Sequence, residues 1–104
     1  MVKIDVEGWE MEVLKGANRF FIGSDAPIIC IEYSNLHPVN NDQIVNIYEY
    51  IQNTNNYNIY KSEKGKEEIS KLVRITDSTD LPYHDNLYCF LPVHLNSLPQ
   101  DIFV

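Results

Sequence analysis

The sequence predicts an α/β fold built on an at least partly parallel sheet, and three neighbouring segments carry that prediction. Val2-Lys3-Ile4-Asp5-Val6 is a short β-branched run that stops at Gly8. The residues after it place Met11, Leu14, Ala17 and Phe21, with Trp9, Val13 and Phe20 alongside, at helical spacing. Ile28-Ile29-Cys30-Ile31 then forms an uninterrupted apolar run, the pattern of a strand buried on both faces. Strand, helix and buried strand make a βαβ unit, whose crossover is right-handed in nearly all proteins.

Each element has local support. Gly8 is placed to cap the first helix, Glu10 and Glu12 complement the positive end of its dipole, and Lys15 and Arg19 complement the negative end. Gly23-Ser24-Asp25 is a turn, and Pro27 leads into the second strand. A loop from Ser34 to Val39 precedes Asn40-Asn41-Asp42-Gln43, which starts a second amphipathic helix with Ile44, Ile47, Tyr48 and Ile51 on one face and an end near Asn53. Thr54-Asn55-Asn56 is a turn, and Tyr57-Asn58-Ile59-Tyr60 alternates as a strand with one wetter face. The charged stretch from Lys61 to Ser70 predicts a solvated excursion, followed by a weak apolar patch at Leu72-Val73 within a variable loop. Asn86-Leu87-Tyr88-Cys89-Phe90-Leu91 is a last strand closed by Pro92, and the tail to Val104 shows no clear periodicity. Residues 1–104 therefore read as a single domain with two crossover helices.

Composition narrows the partners. The chain has 104 residues, 44% of them hydrophobic, which suits one small folded domain with a thin stability margin. A formal charge of −7, with eight Lys and Arg dispersed along the chain, repels phosphate backbones and anionic lipid heads, so the sequence argues against nucleic acid and membrane partners. No apolar run approaches the ~18 residues of a bilayer span. The start lacks a basic region followed by an apolar stretch, and the expectation is a cytoplasmic protein. Cys30 and Cys89 sit inside apolar runs without a His or Cys at ligand spacing, as buried thiols do. Tyr48, Tyr50, Tyr57, Tyr60, Tyr83 and Tyr88 lie at helix and strand spacing without interleaved basic residues, which favours packing over base stacking.

The segment from Lys3 to Ala17, KIDVEGWEMEVLKGA, resembles the signature of FkbM-type methyltransferases over fifteen consecutive positions. Glu32 in Ile31-Glu32-Tyr33 and the pair Asn86-Leu87 also sit where that family places similar residues. The resemblance implies a Rossmann-like sheet of strand order 3-2-1-4-5-7-6 with the last strand antiparallel, and transfer of a methyl group from S-adenosylmethionine, typically to a hydroxyl. On this reading the chain is the carboxyl-terminal half: strand four at residues 2–6, strand five at 28–33, strand six at about 57–61 and strand seven at 86–91, a partial sheet ordered 4-5-7-6. Nothing before Met1 corresponds to the family's Gly-rich loop after strand one or the acid after strand two. The expectation is thus a piece that does not hold the cofactor or act alone, with a bare edge on strand four open to homodimerisation.

Ligands of open α/β sheets bind outside the carboxyl ends of the strands, and Asp5, Glu7 and Glu32 gather there. Alternation puts Asp5 and Glu7 on one side of their strand, about 7 Å apart by strand rise. They are the candidate cofactor-binding residues, and with Glu32 and His37 the candidate catalytic ones, placed to take a proton from a sugar or small-molecule hydroxyl. Plainer roles stand beside these: Asp5 and Glu7 as caps of the following helix, Glu32 as a strand-end acid facing water, and His37 as an idle loop histidine. Trp9 packs either in the core or on a substrate ring. Two further readings remain: a noncatalytic interaction module derived from a methyltransferase, docking on a partner that supplies strands one to three, and an unrelated α/β binding domain.

Overall fold

The computed structural model describes residues 1–4, 10–23, 25–34, 41–64, 70–77, 80–81 and 84–104, the side chains of 10–11, 33–34, 41–46 and 84–85 excepted. In chain order the elements are β1 (Val2–Ile4), α1 (Glu10–Gly16), β2 (Ile29–Ser34), α2 (Asn41–Thr54), β3 (Asn58–Ser62), β4 (Leu72–Arg74), β5 (His84–Phe90) and α3 (Pro92–Ser97), with 3₁₀ turns at Asn18–Phe20 and Gln100–Ile102. The five strands form one mixed sheet in the order β1-β2-β5-β3-β4. β1 and β2 are parallel; β2–β5, β5–β3 and β3–β4 are antiparallel.

The register sorts the strand residues onto two faces, because directly opposed residues share a face and successive ones alternate. Val2 lies opposite Ile29, Ile4 opposite Ile31, Leu87 opposite Ile31, and Ile59 opposite Cys89. Ile4, Ile29, Ile31, Leu87, Cys89 and Ile59 are all buried to 3% exposure or less, and they meet Leu14 of α1 and Ile47, Tyr48 and Ile51 of α2 in one core. The other face carries Lys3 opposite Cys30, Glu32 opposite Asn86, Cys30 opposite Tyr88, and Tyr60 opposite both Tyr88 and Arg74. It is polar and half-buried over much of its area, with Cys30 and Phe90 sealed within it.

The helix α1 is shorter than the apolar spacing suggests. It ends at Gly16, and the chain tightens into the 3₁₀ turn Asn18–Phe20. A change from 3.6 to about 3.0 residues per turn rotates the later side chains off the helical stripe. Leu14 of the helix and Phe21 just past the turn enter the core, whereas Val13 is 37% and Phe20 70% exposed. Gly23 has φ +92°, a conformation that side-chain-bearing residues rarely adopt, and it turns the chain toward β2. Asn55 holds that turn: its Nδ2 donates to the carbonyls of Phe21 at 3.0 Å and Gly23 at 2.8 Å.

Two elements depart from the expectation of loop and tail. Leu72–Arg74, read as a weak apolar patch, is a fifth strand paired with β3, and the pairing is extended by Glu63 N–H donating to the Lys71 carbonyl at 2.8 Å and Lys64 N–H to Ser70 Oγ at 3.1 Å. The tail is also ordered into contact. α3 begins at Pro92, where a missing N–H costs nothing, and the Leu91 N–H donates to His94 Nδ1 at 2.9 Å. Phe103 then forms a parallel bridge with Leu72, and its ring lies 5.0 Å from Tyr60 and 6.0 Å from Phe90, so these three aromatics close one end of the polar sheet face.

Candidate functional site

The carboxyl ends of the two parallel strands are side by side. Ile4, the last residue of β1, is opposite Ile31, so β1 ends one residue short of the level of Glu32. Glu32 is half-buried on the sheet face away from α1 and α2, with Asn86 of β5 directly opposite. The Asn86 carboxamide oxygen is sealed from solvent. Lys3, exposed on β1, shares this face and stands opposite Cys30, two residues before Glu32. Three adjacent strands thus contribute a cation, a carboxylate and an amide to one polar band, which can bind hydroxyl groups and stabilise or accept a proton.

Asp5, Glu7 and His37, together with Trp9 and Gly8, lie outside the described residues. Of the candidate site residues, Glu32 is the one the structure places, and it lies in the carboxyl half of β2, two residues before that strand ends at Ser34. The opposition of Glu32 and Asn86 was not visible in the sequence, since it depends on the register of two strands whose paired residues are more than fifty positions apart. The alternation within each strand could have supplied a clue: Leu87 and Cys89 point to the core, which turns Asn86 and Tyr88 to the opposite face.

The amino end of the sheet is chemically different. Leu14, Phe21, Ile29, Tyr50, Ile51, Thr54 and Tyr57 line a seam that does not admit a water molecule. It is a packing joint between helices and sheet. At this end the Tyr57 hydroxyl donates to the Pro27 carbonyl at 2.6 Å, and burial pushes its ionisation up to about 12. Burial also raises the Tyr48 hydroxyl and, strongly, the Cys89 thiol, which keeps that sulfur protonated and unreactive. Among the described residues, no group of three or more His, Cys, Asp and Glu is placed to hold a metal ion, and no helix is long and apolar enough to cross a membrane.

Against known families, the model of the methyltransferase FkbM domain matches residues 1–60, more than half of the chain. The chain belongs to the FkbM methyltransferase family. The matched residues run from β1 through α1, β2 and α2 into β3, so they include Glu32; β4, β5 and Asn86 lie beyond them. No curated protein and no solved structure matches the chain. The mixed sheet of five strands with three helices is compatible with a methyltransferase-like fold.

Membership implies S-adenosylmethionine as the methyl donor. The described residues do not by themselves make a cradle for it. The four glycines of the sequence, Gly8, Gly16, Gly23 and Gly65, form no Gly-rich loop, and the positive-φ Gly23 turn lies at the amino end of β2, away from Glu32.

Proposed function

We propose that this FkbM-family chain forms the acceptor side of an S-adenosylmethionine-dependent O-methyltransferase site, acting on a sugar or small-molecule hydroxyl. In this reading β1, β2, β3 and β5 correspond to strands four, five, six and seven of the family sheet. Asp5 and Glu7, which follow β1 in sequence, contact cofactor and acceptor, Glu32 accepts the hydroxyl proton, and His37 is the second candidate base. The single observation that carries the proposal is the family match over residues 1–60, with Glu32 in the carboxyl half of β2, one residue past the level of Ile4 in β1. The donor is held mainly by residues outside this sequence, because the sequence has no Gly-rich loop.

The test has two arms. Calorimetric titration of the 104-residue chain with S-adenosylmethionine is expected to show no saturable binding at micromolar concentration; clear saturation overturns the assignment of the donor site to other residues. In a longer polypeptide carrying these residues, Asp5→Asn and Glu32→Gln are each expected to abolish transfer of labelled methyl to hydroxyl acceptors while the melting temperature stays nearly constant. Transfer at the parental rate in both variants sinks the catalytic assignment, and a variant that merely melts earlier supports capping instead.

A second reading has its own observation. Within the described residues β1 is the sheet's edge and pairs on one side with β2, leaving a row of backbone donors and acceptors along Val2–Ile4. A noncatalytic module derived from a methyltransferase would use that edge to pair with a partner strand or with a second copy. Light scattering decides the second-copy form: a monomer at all concentrations removes it.

A further inference from the structure

Among the described residues six large apolar side chains stand exposed, and three of them, Val13, Phe20 and Ile22, belong to α1 and the few residues after it. Backbone hydrogen bonds order two of these into a stripe. Ala17 N–H donates to the Val13 carbonyl at 3.0 Å, a helical turn, and Phe20 N–H donates to the Ala17 carbonyl at 2.9 Å, a 3₁₀ turn. Each turn brings the chain back to the same side, so Val13, Ala17 and Phe20 share one face. That face is rotated by about 100° from the one that Leu14 presents to the core. The flank beyond it, farther from the core, carries Glu12, Gly16 and Arg19, each one position before a member of the stripe. All three are exposed, and nothing lies within 4 Å of the place that a Gly16 Cβ would take.

This surface complements itself on reversal. With two copies of α1 antiparallel and the twofold axis between Gly16 and Ala17, Val13 faces the partner's Phe20, and the small residues at the crossing let the backbones approach. Antiparallel copies keep equivalent flanks on one side, so Glu12 lies within about 3 Å, along the axis, of the level of the partner's Arg19. The pairing occurs twice in each dimer. A partner surface of a single charge sign meets a like charge at Glu12 or at Arg19, whereas a reversed copy meets neither.

We propose that the chain self-associates through α1 as an antiparallel dimer, Val13 packing on the partner's Phe20 and Glu12 pairing with the partner's Arg19. The surface lies apart from the β1 edge of the second reading above, and it needs no methyl transfer. A stripe this narrow falls short of the ~800 Å² per partner of a standard interface, so the dimer is weak, with Kd in the high micromolar range.

Sedimentation equilibrium of the 104-residue chain, from about 10 μM to about 1 mM, measures the association. The weight-average mass is expected to rise from 12.1 kDa toward twice that value. Phe20→Ser is expected to raise Kd about tenfold or more by removing the largest apolar contact. Glu12→Arg and Arg19→Glu each set like charges together and raise Kd about tenfold, while the double exchange restores the parental value. All three positions are exposed, so the melting temperatures of the variants stay near the parental one. A monomer throughout the range overturns the proposal. So does an association that Phe20→Ser leaves intact, which assigns the dimer to the β1 edge, or a double exchange that fails to restore it.

Discussion

The Tyr48 hydroxyl donates to the Ile75 carbonyl oxygen at 3.3 Å, tying the middle of α2 to the chain just beyond β4. The Tyr48 hydroxyl oxygen in turn accepts a bond from Gln52 Nε2 at 3.0 Å, one helical turn along. The Ile75 N–H meanwhile donates to the Ile59 carbonyl at 2.8 Å, so Ile75 joins helix and sheet through both of its peptide groups. Tyr48→Phe keeps the ring and withdraws the hydroxyl. The expected loss is about 1 kcal/mol, the typical net worth of one such bond, measured as a lower urea midpoint with an unchanged slope.

Tyr57 makes stability sensitive to alkali. Its folded-state ionisation lies at about 12 against 10.0 for the free side chain, because burial disfavours the phenolate. An acid whose pKa is raised by folding contributes stability that is complete below the unfolded value and drains as pH rises through the folded one. The loss therefore falls between pH 10 and about 12. The raised Tyr48 and Cys89 groups add to it in the same direction. Tyr57→Phe is expected to cost about 1 kcal/mol at neutral pH through the lost Pro27 bond, yet to flatten the decline above pH 10, as urea midpoints at several pH values will show.

Leu87 is fully buried on the central strand β5, opposite the fully buried Ile31. Leu87→Ala leaves a cavity between sheet and helices and is expected to cost about 3 kcal/mol. In so small a domain this is a large share of the whole margin. Circular dichroism of the variant at room temperature is expected to show a substantial unfolded population, whereas Asn96→Ala, exposed on α3, leaves the spectrum unchanged.

Phe103→Ala removes one member of the aromatic triad with Tyr60 and Phe90. Because Phe103 is half-buried, the expected cost is about 1–2 kcal/mol, lower than for a core ring. Calorimetry should record a fall of about 5–10 °C in Tm, accompanied by a weaker near-ultraviolet signal from Tyr60. An unaltered transition would mean that the tail contributes no stability.

The legible parts of this fold are the ones written in local periodicity. Residues 2–34 show a β-branched run, a helical stripe and an apolar run, and the structure has β1, α1 and β2 there. The 3.6-residue period could not reveal that α1 gives way to a 3₁₀ turn after Gly16, which carries Phe20 into solvent. β4 was illegible because three residues carry no period and owe their state to β3, a nonlocal partner. Phe103 was hidden for the same reason: its contacts are to Leu72, Tyr60 and Phe90, all distant in sequence. At the site, Glu32 could be read from its place at the end of an apolar run, while its opposition to Asn86 required the register of two strands that are neighbours only after folding.

Cys30 and Cys89 lie on adjacent strands but leave the sheet by opposite faces, since Cys89 shares the face of Ile29 and Cys30 that of Tyr88. The two sulfurs are therefore gated by different layers of the molecule. Cys89 becomes accessible to a thiol reagent only when the helices lift from the sheet, and Cys30 only when the polar face opens. Their separate labelling rates form a native two-channel clock of local opening, which distinguishes peeling of one layer from unfolding of the whole domain without any introduced probe.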